Sequence, residues 1–174
     1  RLALYQPVPW LLTLAFAAYA LQFFAVVIWL PTFLQEQRAL SPGIIALLSA
    51  LVIAVNVPGN LAGGALLYHH VNRGHLISAA SLIMGLAGLG IFSEDVPDAL
   101  RYACCLVLTG VGGMIPVAVL SSSIVLAPAP QQIGTLQGLY LQGSNFGQFA
   151  GIPLIAGIVA ASGQWQSALV VTAS

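Results

Sequence analysis

The sequence predicts an all-α fold, a polytopic membrane helix bundle, and three observations carry that prediction. Charged residues make up only 5% of the 174-residue chain and hydrophobic ones 59%, where an ordinary soluble domain carries about 25% charge. The few charges fall at Arg1, at Glu36 and Arg38, at Arg73, at Glu94, Asp95 and Asp98, and at Arg101. The apolar runs between them suit a hydrocarbon core about 30 Å thick, which takes about 20 helical residues to cross. Finally, runs such as 10–21 and 82–92 show neither a polar face every 3.6 residues nor a polar–apolar alternation. That excludes both the surface helices of a soluble domain and the strands of an outer-membrane barrel.

The elements follow in order. A first span is expected over about 9–34, with an aromatic end at Trp29, Leu30 and Pro31, and a second over 42–67. The third is expected over 76–92, the fourth over 100–126 and the fifth over 133–161. After the Gly163, Gln164, Trp165 turn a sixth begins at 165 and has about ten residues, half of what a crossing requires. With no methionine at its start, the chain reads as one bundle cut from a longer membrane protein. The first apolar segment is too long, and lacks the basic cluster, for a secretory signal.

Composition also limits function. Four arginines without clustering give no nucleic-acid footprint, so no nucleic-acid partner is expected. No Gly-x-Ser-x-Gly, His-Glu-x-x-His or phosphate loop is present, so neither an enzyme nor a cofactor is indicated. The adjacent Cys104 and Cys105 point about 100° apart on a helix, too divergent for a mutual disulfide. The loop histidines His69, His70 and His75 have no metal-ligand spacing. Alternating helices put Arg1, the 68–75 loop and the 127–132 loop on one side. Arginines divide two against two, and the histidines beside Arg73 favour that side as cytoplasmic.

Several motifs resemble one family. Gly64, Ala65, Leu66, Leu67, Tyr68 and His69, followed by Asn72, Arg73 and Gly74, resemble the loop after the second helix of each half in the major facilitator superfamily. Its pattern is Gly-x-Leu-x-Asp-Arg; Tyr68 stands where the family has aspartate and His69 where it has arginine. Pro128, Gly134 and Gly138, leading into Gly143, Gly147 and Gly151, with Pro153 and Gly157 beyond, resemble the family's eleventh helix and the loop before it. The first span is similar to its seventh helix. Within the family, the general character resembles the cyanate permease-like group. The resemblance implies the C-terminal six-helix half of a twelve-helix carrier, in a bacterial inner membrane. Its partners would be a small-molecule solute, membrane lipid, the N-terminal bundle of the same protein and a coupling proton.

The candidate site is drawn from polar and helix-breaking residues at membrane depth, where an unpaired amide costs a few kcal/mol, about 2 or more. Tyr19 and Gln22 on the first span, Asn56 and Asn60 on the second, and Gln142 and Asn145 on the fifth are the cavity candidates. Gln148 continues the last series. The third span offers only Ser78 and Ser81, which fits a family arrangement with that span outside the cavity. Pro58 frees the Ala54 carbonyl and Pro116 the Gly112 carbonyl, so Pro58, Gly112, Gly113 and Pro116 are hinge candidates. Gly143, Gly147 and Gly151, four apart, share a face that serves either static helix packing or a sliding contact with another bundle. Ser121, Ser122 and Ser123 either bond to their own helix or face the cavity. No ionisable group falls mid-span, so any titrating or anion-gripping residue of the transport path would lie in the other half. The reading is a secondary transporter working by alternating access. The alternative is a non-transporting scaffold or receptor whose amides only join helices.

Overall fold

A computed structural model describes residues 5–36, 38, 40–93 and 96–162. It contains seven α-helices among those residues: α1 Pro7–Glu36, α2 Pro42–Ala54, α3 Asn56–Tyr68, α4 Arg73–Phe92, α5 Asp98–Gly112, α6 Met114–Leu126 and α7 Ile133–Ser162. A short 3₁₀ turn, Pro130–Gln132, leads into α7. The expected truncated span at 165–174 lies outside the described residues, as do Glu94 and Asp95 and the side chain of Glu36.

Among the described residues, four units are long and apolar enough to cross a membrane: Pro7–Gln35, Pro42–Tyr68, Arg73–Ile91 and Asp98–Leu126. The second and fourth are each two helices in line. Helix α7 is 30 residues long, more than the about 20 that a crossing takes.

The two interruptions have one cause. Proline at position i has no N–H for the carbonyl of i−4, and its ring crowds that carbonyl. Helix α2 ends at Ala54, four residues before Pro58, and α5 ends at Gly112, four before Pro116. Pro31 and Pro153, by contrast, lie inside unbroken helices. Between helices, Asn72 caps α4 by accepting from the N–H groups of Gly74 (2.8 Å) and His75 (3.3 Å), as short polar side chains do at helix starts.

Packing orders the helices. Helix α7 lies along α1, α4 along α5 and α6, and α3 against both α5 and α6. The core runs through Phe16, Ala20, Val26 and Trp29 of α1, Met84 and Ile91 of α4, and Cys105, Leu108, Ile115 and Val119 of α5 and α6. The second span is covered least: Leu47, Leu51, Val57 and Leu61 stay exposed. Apolar side chains left uncovered along a whole span belong against lipid or another bundle rather than water.

Candidate functional site

The two proline-made interruptions meet. Built onto Gly59, a Cβ would overlap the Gly110 carbonyl oxygen; on Gly113 it would overlap the Asn56 carbonyl oxygen. On Gly110 it would come within 2.8 Å of Val55. Glycine is required here because backbone meets backbone. Gly112 makes room in turn for Met84 and Tyr19, each 3.0 Å from where its Cβ would stand.

Around this crossing three spans join through one polar network. Asn56 donates from Nδ2 to the Tyr19 hydroxyl oxygen (3.1 Å) and to the Thr109 carbonyl (2.9 Å). Asn60, one turn on, donates to the Asn56 Oδ1 (2.9 Å) and to its carbonyl (3.0 Å). Asn56 is thereby spent on holding α1, α3 and α5 together. Tyr19, which accepts from Asn56, keeps its own O–H as a donor, and the Asn60 Oδ1 remains an acceptor. Tyr19 is buried and both asparagines are half-buried. Tyr19, Asn56 and Thr109 each fall near the middle of their own apolar runs, Pro7–Gln35, Pro42–Tyr68 and Asp98–Leu126.

Beside Tyr19 lies a small cavity of about 170 Å³ shared with Gln22, Ala15, Ala18, Ser81, Met84, Gly85 and Ile115. Ser81 and Gly85 belong to the third span, so that span is not set apart from the polar candidates as expected. It reaches the cavity because α4 packs on α6.

Helix α7, expected as the fifth span, lies along α1. A Cβ on Gly143 would overlap Thr13, on Gly147 the Ala17 carbonyl, and on Gly151 it would stand 2.8 Å from Leu21. Positions 143, 147 and 151 thus lie against 13, 17 and 21, one turn for one turn. The surface offered for sliding against another bundle is occupied by α1 of the same bundle. Gln142 and Asn145 are exposed on α7, and none of the hydrogen bonds around Tyr19 includes them. Ser121 and Ser122 donate to the Ala118 carbonyl at 3.2 and 2.7 Å, and Ser123 to Leu120 at 2.7 Å. These hydroxyls serve their own helix.

Some participants escaped the sequence reading. Thr109 enters through its main-chain carbonyl, which no side-chain pattern reveals, though Gly110 beside it marks the close approach. Tyr140 is fully buried on α7 with no partner for its hydroxyl among the described residues. Arg38, in the turn after α1, pairs with Asp98 at the start of α5 through both guanidinium edges, Nη2 at 2.6 Å from Oδ1. The hydrogen bonds that Arg38 donates to Asp98 hold its guanidinium above the ordinary arginine value.

A bundle of long apolar helices, two of them broken at mid-length around a polar network, is the build of a polytopic membrane protein. The sequence pattern of the Major Facilitator Superfamily matches residues 1–152. The chain belongs to that family of membrane transporters, which points to transport rather than catalysis. No curated protein matches it.

Proposed function

We propose that the chain forms one bundle of a secondary active transporter, moving a small solute by alternating access against a second bundle of the same protein. In this reading 133–161 is a fifth span, 165–174 begins a sixth, and the 68–75 loop faces the cytoplasm of a bacterial cell. The observation that carries it is the Tyr19, Asn56 and Asn60 network at the crossing of two broken spans. Interrupted helices with polar side chains at mid-depth form the binding sites of membrane carriers. Tyr19 supplies a donor and Asn60 an acceptor with no ionisable neighbour in the network, so the site selects by hydrogen bonding rather than by charge. Gln22 extends it through the cavity beside Tyr19. Gln142 and Asn145, on an uncovered face, stand toward the other bundle and border the path.

The breaks at Val55 and Gly113 are where the second and fourth spans bend as the bundle rocks. A coupling proton, if used, is taken up by the other bundle, since this network of Tyr19, Asn56, Asn60 and Thr109 holds no carboxylate or histidine. The test is flux. Full-length protein in vesicles is expected to give saturable uptake of at least one solute in a panel of neutral and charged metabolites, weakened at least tenfold by Asn60→Leu. Absence of saturable flux across the panel would favour a scaffold whose amides only join helices.

A further inference from the structure

The breaks in the second and fourth spans lie on one another, and α3 bears on both. Helix α3 starts at Asn56, directly after the break at Val55. Its positions 56, 59, 60 and 63 form one face, and 110, 113, 114 and 117 form the facing one on the fourth span, both at the i, i+3, i+4, i+7 spacing of a helix stripe. A Cβ on Gly59 would overlap the Gly110 carbonyl of α5, and one on Gly63 would stand 2.8 Å from Val117 and 3.0 Å from the Met114 Cα on α6. Gly113, at the break itself, faces the Asn56 carbonyl. Helix α3 therefore covers the fourth span on both sides of its break. We propose that the two breaks are one hinge, with α3 as its connecting arm and Asn56 as its pivot, so that the second and fourth spans bend together. The coupling presupposes that the spans bend at Val55 and Gly113, as proposed above.

Backbone packed on backbone has no side chain that can turn aside. A change of angle between α5 and α6 therefore either lifts α3 from one of them or carries it along. Carrying it along meets the least resistance, because α2, on the other side of Val55, is held weakly. Val52 is the one residue of α2 buried among the described residues, whereas α6 buries Ile115, Ala118, Val119, Ser122 and Ser123. The angle that changes at Gly113 is taken up at Val55.

Asn56 serves both breaks. The Thr109 carbonyl accepts from the Gly113 N–H at 3.1 Å and from the Asn56 Nδ2 at 2.9 Å. Bending at Gly113 lengthens the first bond, and the second keeps the oxygen satisfied at a depth where lipid offers no substitute. On the other span the Gly59 N–H reaches the Val55 carbonyl at 3.4 Å, long for such a bond. Asn56 thus adjoins the first break through its backbone and supports the second through its side chain. Its bond to the Tyr19 hydroxyl, 3.1 Å, ties the pivot to α1.

Spin-label distances, read by double electron–electron resonance on the full-length protein in nanodiscs and in a background free of other cysteines, test the coupling. A pair at Leu47 and Leu89 follows α2, and a pair at Ile124 and Leu82 follows α6; all four positions are exposed among the described residues. Pro116→Ala returns an N–H to the fourth span and straightens it, and Pro58→Ala does the same for the second. Removing a kink of about 20° moves the tip of an arm of about eight residues by about 4 Å. Each substitution should shift its own pair by about that much and the other pair by at least about 2 Å. With Asn56→Leu added, the effect on the other pair should vanish while the direct one stays. If Asn56→Leu loses its fold, the two proline variants still decide. Shifts confined to the substituted span, no shift at either pair, or an undiminished effect on the other pair in a folded Asn56→Leu protein would overturn the proposal. Because no solute is added, coupling and transport fail separately: independent arms beside saturable flux overturn the hinge alone, and coupled arms without flux overturn the carrier alone.

Discussion

Asn56 is the residue on which the site turns, because its one side chain joins three spans. Tyr19→Phe removes the hydroxyl that accepts from Asn56 and should cost about 0.5–1.5 kcal/mol in stability, the net worth of one such bond. Asn56→Leu, which also strips the partners of Thr109 and Asn60, should cost more than Tyr19→Phe. Thermal melts of the full-length protein in detergent check the order. Tyr140→Phe should behave oppositely, since its enclosed hydroxyl has no described partner and such a group costs about 1–3 kcal/mol. A melting temperature equal to or above the parent's is expected; a fall of several degrees would show that the hydroxyl has a partner. That Asn56 and Asn60 matter was legible from amides standing inside an apolar run. Their partners were not, because Tyr19 lies 37 positions away and Thr109 contributes only backbone.

The helices themselves divide into what a local pattern dictates and what a neighbour dictates. Pro58 and Pro116 each announce the end of a helix four residues earlier, and α2 and α5 stop there, because the lost N–H and the crowded carbonyl are properties of the chain alone. The glycines of α7 announce only a smooth face. What lies on that face depends on which helix arrives, and the structure brings Thr13, Ala17 and Leu21 of α1. Gly147→Leu should therefore drive α1 and α7 apart and destabilise by about 1–3 kcal/mol, the usual cost of overpacking. Gly138→Ala, on the same helix with nothing within 4 Å of its Cβ, should be neutral or stabilise by up to about 1 kcal/mol through helix propensity. Melts of the two variants side by side separate a packed face from an open one, and equal effects would mean that α7 does not sit on α1. The same contrast explains why the fifth-span amides seemed continuous with the Tyr19 set. Spacing places Gln142 and Asn145 in line, while packing turns them outward.

Across the whole molecule, the scarcity of charge was enough to read an all-helical membrane bundle, and the family match to residues 1–152 agrees with it. What composition could not show is that residues read as loop markers come together. Arg38 and Asp98, 60 positions apart, tie α1 to α5 and frame a pocket at the end of the bundle. Sparse charges mark where spans end, and the same economy lets two or three of them dominate the chemistry there. At mid-depth the described residues offer hydrogen bonding through Tyr19, Asn56 and Asn60. The leucines of the second span and the amides Gln142 and Asn145 of α7 leave two faces uncovered among the described residues.

The central claim is that water and solute reach the polar residues at the middle of these spans. Single cysteines at Gln22, Asn60 and Asn145, in full-length protein otherwise free of cysteine, answer it directly through labelling by a membrane-impermeant thiol reagent applied from each side. The account predicts labelling at all three positions, from both sides in turn, with rates that change when a transported solute is added. Three positions that stay inert from either side would mean a dry bundle, and would contradict it.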